Sequence, residues 1–379
     1  MIRLFLIATL LLLTACGSNE RQPSEVVGEQ ASAPWPVPLG TVSLQRAQQT
    51  TEESRLDLGL VVFDPGVPSD ESTHTERGIF PKIREVESQY MPVLLREALV
   101  ASDNWGVVRV LPRDDETMEL RITGKIIHSD GIDLVLHIVA IDASGRPWLD
   151  RIYHDQTHRE DYPALAPEED PFGDLYRQIA NDLAGVKAQI SSAQLARIRD
   201  VAVLRYAANL SPEAFSGFLA EDSKGELSLR RLPSQDDPMM LRVQRIRNQE
   251  YLFIDTVDEQ YVSLYEDMAP TYYLWRQYGR ERAVHMEETQ RRTAERDRYG
   301  SRGSYIAMEQ TYNAFKNSKI QDQDLQELAG GFNNEVAPTV MEVSGRVFRL
   351  SGGLDTQLAE WREILRSIFA LETGLPVLE

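Results

Sequence analysis

Leu120-Arg121-Ile122-Thr123-Gly124-Lys125-Ile126-Ile127-His128, then Ile132-Asp133-Leu134-Val135-Leu136-His137-Ile138-Val139-Ala140-Ile141, then Pro147-Trp148-Leu149-Asp150-Arg151-Ile152-Tyr153, is the stretch on which the fold turns. Apolar and polar side chains alternate through it, the period of strands with one face on a core and one in water. Ser129-Asp130-Gly131 and Asp142-Ala143-Ser144-Gly145-Arg146 separate the runs with turn-forming residues. Three strands joined by such short turns predict an antiparallel meander.

Upstream, Leu56–Phe63 reads as an apolar strand stopped by Asp64-Pro65-Gly66. Glu85–Val100 reads as a helix, with Tyr90, Val93, Leu94, Leu95, Ala98 and Leu99 on one face; Pro92 inside the pattern offers a later start, with the proline at the first turn. Trp105–Leu111 is a further strand. Downstream, Asp170 to Arg199 reads as one helix, opened by Asp170-Pro171 and burying Leu175, Ile179, Leu183, Val186 and Ile190. This order predicts an α+β domain over residues 55–199, a mixed sheet with a three-strand meander packed by helices.

Residues 200–379 predict a mainly α-helical extension. A helix over Val201–Ala220 is interrupted near Ser211-Pro212. Residues 221–238 are polar and turn-rich, and the pattern stays mixed to Met268. A long charged helix is expected over Tyr272–Arg298, broken at Gly300–Gly303 and resuming over Ser304–Lys319. A hairpin is expected near 341–350. Leu354–Leu371 closes the chain as an amphipathic helix with Leu358, Trp361, Leu365, Ile368 and Phe369 on one face.

The sole cysteine, Cys16, ends the run Leu13-Thr14-Ala15-Cys16, behind Arg3 and an apolar stretch from Leu4 to Leu13. About ten apolar residues are too few for a spanning helix, which needs about 20. They suit a signal peptide over residues 1–15. The segment resembles the lipobox of bacterial lipoproteins. That resemblance implies cleavage before Cys16, a thioether-linked diacylglycerol on its sulfur and an acylated amine. Gly17-Ser18, with no Asp beside the cysteine, implies sorting to the outer membrane. Residues 16–54 read as a lipidated tether stiffened by Pro34, Pro36 and Pro38, with Trp35 in its middle.

The formal net charge is −19. Such a surface repels phosphate backbones and excludes a general nucleic-acid role. It also repels anionic lipid, so membrane attachment is expected from acyl chains on Cys16 rather than from a basic face.

The Leu58–Phe63 strand, the helix ending in Leu94-Leu95-Arg96-Glu97-Ala98-Leu99, the Trp105–Leu111 strand and the Leu120–Tyr153 meander together resemble the periplasmic domain of a group of envelope lipoproteins. The group includes auxiliary lipoproteins of ABC-type lipid transporters, the curli-secretion lipoprotein and activators of peptidoglycan synthases. The resemblance covers about residues 56–199. It implies a non-catalytic, periplasm-facing scaffold or accessory subunit within an envelope protein complex, without cofactor.

Three constellations invite other chemistry. His154 and His158 in His154-Asp155-Gln156-Thr157-His158 would share a helical face and hold a metal, as in a metal-dependent hydrolase, with Glu160 and Asp161 as further oxygen ligands. The general-base glutamate of helical zinc peptidases is replaced by Asp155, and the segment follows a strand rather than opening a clear helix, so a solvated loop with scattered histidines is the simpler reading. Arg291, Arg292, Arg296, Arg298 and Arg302 would meet an anionic partner, or pair with the interleaved Glu287, Glu288, Glu295 and Asp297. Tyr272-Tyr273-Leu274-Trp275 with Tyr278 would serve a cell-wall-binding module, or pack in a core. No Gly-x-Ser-x-Gly elbow or phosphate-binding glycine loop is present.

Overall fold

The computed structural model describes residues 35–48, 51–74, 79–157, 170–234, 236–298 and 338–374. The expected signal peptide, Cys16, the break at Gly300–Gly303 and the helix over Ser304–Lys319 lie outside the described residues. One compact unit spans Trp35–Glu379.

The fold is α+β. Five strands form a mixed sheet: β1 (Leu58–Val61), β2 (Val108–Leu111), β3 (Leu120–Ser129), β4 (Asp133–Asp142) and β5 (Pro147–Gln156), in the order β2-β1-β3-β4-β5. β1 runs parallel to β2 and β3, while β3, β4 and β5 form the expected antiparallel meander. Every residue of β1 and β2 is buried, which is why both read as continuous apolar runs.

The helix α1 (Pro81–Ala101) connects β1 to β2. It begins at Pro81, earlier than expected, and carries Pro92 in its interior. Proline removes the N–H that would bond the Ser88 carbonyl. That carbonyl instead accepts from Phe63 N at 2.9 Å, so the interruption becomes a tie to the chain just after β1.

The single helix expected over Asp170–Arg199 is two, α2 (Gly173–Lys187) and α3 (Ser192–Leu210). Ser191 starts the second with a capping box. Its Oγ accepts from Gln194 N, and its own N–H donates to Gln194 Oε1 at 3.0 Å.

After a two-strand hairpin, β6 (Leu219–Glu221) and β7 (Leu227–Leu229), a 61-residue helix, α4 (Pro238–Arg298), replaces the expected mixed segment. At 1.5 Å per residue it is about 90 Å long. Asp237 caps it, Oδ1 accepting from Met239 N at 2.8 Å, and Pro238 occupies its first position. The chain closes with the hairpin β8 (Thr339–Val343) and β9 (Arg346–Leu350) and with α5 (Leu354–Thr373).

The helical extension packs on the α+β domain. Val243, Ile246, Phe253, Val257, Tyr261, Tyr265, Tyr272 and Trp275 form a helical stripe on α4, buried in the same core as β1 and α1. α4 also covers the β2 edge, where Asp258 Oδ1 accepts from Val110 N at 2.8 Å. Near the other end, a Cβ at Gly131 would lie 2.0 Å from Arg280 N, so only glycine lets the β3–β4 turn meet the helix there.

A buried ion pair fastens this contact. Arg276 and Glu87 are both 0% exposed. Arg276 donates to Ser129 Oγ at 2.8 Å and to the Asp130 carbonyl at 2.5 Å, and its guanidinium lies 3.5 Å from Glu87. Glu87 Oε1 also accepts from Tyr272 Oη at 2.8 Å and Ser129 Oγ at 2.6 Å. The guanidinium sits 4.7 Å from the Phe172 ring centroid.

The expected tether is shorter than 16–54, because residues 35–48 dock on the domain. Leu39 N donates to His154 O on β5 at 2.9 Å, and Val42 N to Asp174 Oδ1 at 2.6 Å. Gln45 N donates to Asn181 Oδ1 at 2.8 Å. Arg177 Nε donates back to Val42 O at 2.8 Å. A Pro-rich strap suits a sheet edge, since it covers the strand while Pro36 and Pro38 offer no N–H for further pairing.

Breaking the pair by Arg276→Met should cost about 3 kcal/mol in urea unfolding, because buried Glu87 then keeps only Arg84, 3.7 Å away, as a cationic partner. Adding Glu87→Gln should recover part of the loss. Equal stability of Arg276→Met and the parent would show that the pair does not hold α4.

Candidate functional site

A groove of about 580 Å³ lies between α3, the β4–β5 turn and the β6–β7 hairpin. This is within the usual range for small-molecule sites, about 300–1,000 Å³. Its geometry begins with Asp142, which organises the turn at the end of β4. Oδ1 accepts from Ser144 N at 2.8 Å and Ser144 Oγ at 2.5 Å, and Oδ2 accepts from Trp148 Nε1 at 2.8 Å. Its negative charge is thereby engaged within the turn. Gly145 sits at φ +88°, and a Cβ there would meet Gly225 O at 3.2 Å. Glycine thus permits both the turn and the hairpin docked on it. Leu227 N donates to Ser144 O at 2.7 Å and fixes the second wall.

Four arginines converge on the groove: Arg146 from the turn, Arg197 from α3, and Arg230 and Arg231 from the chain after β7. All four are exposed. Among the described residues none of them has an ion-pair partner, and Arg231 lies over the Phe218 ring at 4.4 Å. Gln194, in the first turn of α3, adds an amide, and the positive end of that helix dipole has the same sign as the arginines. The floor is apolar. Ile198 and Val201 are buried and Leu227 and Leu229 half-buried. Leu232, at the rim, is 60% exposed. Guanidinium donors above an apolar floor can hold a phosphate or carboxylate in bidentate fashion while covering a hydrocarbon segment.

Only Arg230-Arg231 is visible as a pair in the sequence; Arg146 and Arg197 look like ordinary surface residues. No local signal connects the three segments, because three different elements bring them together.

The sites read from sequence fall elsewhere. Cys16 lies outside the described residues, as do His158, Glu160 and Asp161. His154 sits within β5 rather than on a helix, which removes the shared helical face expected for it and His158. Its ring nitrogens are both engaged, Nδ1 with Pro36 O at 2.8 Å and Nε2 with Asp133 Oδ1 at 2.7 Å. Trp35, in the middle of the expected tether, packs against His128 and His154, with ring centroids 4.7 and 5.4 Å away. Among the described residues, no three His, Cys, Asp or Glu side chains are grouped as metal ligands would be.

Tyr272 and Trp275 stack in the core at 5.8 Å, whereas Tyr278 is exposed. The aromatic cluster is therefore split between interior and surface. Arg292 pairs with Glu288 at 3.2 Å on the exposed side of α4. Arg302 lies outside the described residues.

Comparison with protein-family models, with curated proteins and with solved structures found no match.

Asp155, beside His154, has a separate role. Burial pushes its carboxyl up to about 7, and nearby Asp174 and Asp170 act in the same direction. N–H groups of Gln156 and Leu175 oppose the shift. Burial likewise raises Glu119 to about 7. A carboxyl whose folded pKa lies above its unfolded value binds more protons in the fold, so stability falls as pH rises from about 4 through 7. Asp155→Asn should remove part of that fall, roughly 2 kcal/mol, and leave the protein no less stable at pH 8. Unfolding free energies measured from pH 5 to 8 check this; an unchanged slope would rule it out.

Proposed function

We propose that this chain is a non-catalytic, periplasm-facing lipoprotein of the outer membrane, held by acyl chains on Cys16. In this reading it acts as a scaffold or accessory subunit in envelope transport or assembly. The observation that carries it is the placement of the only cysteine at the end of Leu13-Thr14-Ala15-Cys16, behind a short apolar run. Among the described residues no helix is long and apolar enough to cross a membrane. Two or more acyl chains anchor stably where one binds only marginally.

The mechanism is positioning. Acyl chains confine the domain to a surface and raise its effective concentration near a partner complex. The sheet offers a rigid platform, since its two edges are covered by α4 and by the strap at residues 35–48. The arginine groove is the working surface in this reading. It is open, locally cationic on an acidic protein, and engaged by no carboxylate among the described residues.

Replacement of Cys16 by Ala should move the protein from the outer-membrane fraction to the soluble periplasmic fraction. Crosslinking in intact cells with the lipidated parent as bait should capture an inner-membrane transporter or a wall synthase. A Cys16→Ala protein that still fractionates with outer membrane would overturn the anchor.

A further inference from the structure

We infer that the groove between α3 and the β6–β7 hairpin binds an anionic amphiphile, a phosphate-bearing lipid whose head group meets Arg146, Arg197 and Arg230. Its first hydrocarbon segment would lie on Ile198, Val201, Leu227 and Leu229. This deepens the proposed accessory role and rests on it for the setting, the envelope, in which such a ligand is met.

The charge argument starts from an apparent conflict. The chain carries −19, and long-range repulsion of anions is expected. At physiological salt, however, exposed charges more than about 8 Å away are largely screened. The local field in the groove is then set by its lining residues and by near neighbours such as Glu226, whose backbone passes beside Gly145. Four lining residues are arginine, and the one carboxylate in the lining, Asp142, is buried and hydrogen-bonded within its turn. Several arginines elsewhere are tied to carboxylates, as Arg96 is to Asp258 and Arg362 to Glu250. Clustering unpaired guanidinium groups costs self-repulsion, and an anion relieves it.

The apolar argument distinguishes a lipid from free phosphate. A site built for inorganic phosphate alone has no use for apolar lining, whereas this groove places Ile198, Val201, Leu227 and Leu229 beside its arginines. Leu232, 60% exposed, continues the apolar surface to the rim, where a chain could leave the groove. The hairpin that forms the second wall is attached through Leu227 N and Ser144 O, so the groove is largely pre-formed.

Residues 17–379, which retain every described residue, are titrated with monomeric lauroyl lysophosphatidylglycerol and followed by calorimetry. Lauroyl lysophosphatidylcholine and inorganic phosphate serve as parallel probes. One site per chain is expected for the anionic lysolipid, with the zwitterionic lysolipid and inorganic phosphate each at least tenfold weaker. Arg197→Ala/Arg230→Ala should weaken the anionic lysolipid at least tenfold. Arg346→Ala/Arg349→Ala, on the distant β9 hairpin, changes net charge equally and should leave binding as it was. Melting temperatures of both variants verify that the fold is retained. If the groove variant unfolds, Arg146→Gln alone replaces it, with a severalfold loss expected.

Equal binding of the two lysolipids would overturn the proposal, and so would full binding by the groove variant. Inorganic phosphate binding as tightly as the lysolipid would make the groove an anion site and remove the lipid. These outcomes do not depend on lipidation, so they are separable from failure of the Cys16→Ala fractionation.

Discussion

A guanidinium buried to 0% exposure, Arg276, is the contact on which the arrangement of the long helix depends. α4 meets the rest of the domain through aromatic and mixed side chains rather than through a dense row of leucines. Such a surface alone would tolerate a slip of one turn. A buried charge does not, because displaced from Glu87, Ser129 Oγ and the Asp130 carbonyl it would lose all compensation for its desolvation. Two further polar ties repeat the device along the helix. Asp258 binds Val110 N and Arg96, and Glu250 binds Arg362 and Tyr206. Together they set the register of one helix against the sheet edge, α1, α3 and α5.

The sheet's two edges are closed by different means. A carboxylate on α4 stands in for a strand partner at β2, whereas a proline-bearing segment lies along β5. The second solution joins the domain to the stretch of chain that leads back toward Cys16. Trp35, set between His128 and His154, fixes the start of that segment. Residues 35–48 are thus part of the folded body, and the reach of any anchor is set by the residues that precede them.

The groove shows how an acidic protein presents a cationic surface. Arg276 and Arg362 are neutralised in place by carboxylates, and the arginines of the groove have no such partner among the described residues. The difference is positional. The β4–β5 turn absorbs its own aspartate through backbone and indole donors, which leaves Arg146 without a local partner.

Alternation alone located the meander, because a period of two with short polar turns admits few other structures. The hairpin near 341–350 and the closing helix were legible for the same reason: their apolar residues repeat at one period. The continuity of α4 was not. Its inward stripe includes Glu250, Asp258 and Arg276, which read as solvent-facing until partners on distant segments are known. Prolines misled similarly. Pro92 suggests a helix start, yet Phe63 N satisfies the carbonyl it frees. Ser191-x-x-Gln194 and Asp237-Pro238 were local signals for two helix starts that hydrophobic periodicity masks. The sequence by itself determined the α+β class, the meander and the place of the lone cysteine behind a short apolar run, all of which are properties of neighbours along the chain. Only the tertiary structure decided that the strap docks, that α4 is one helix and that four arginines share a groove. Each of these depends on pairings across dozens to hundreds of residues, where burial reverses the meaning of a charge.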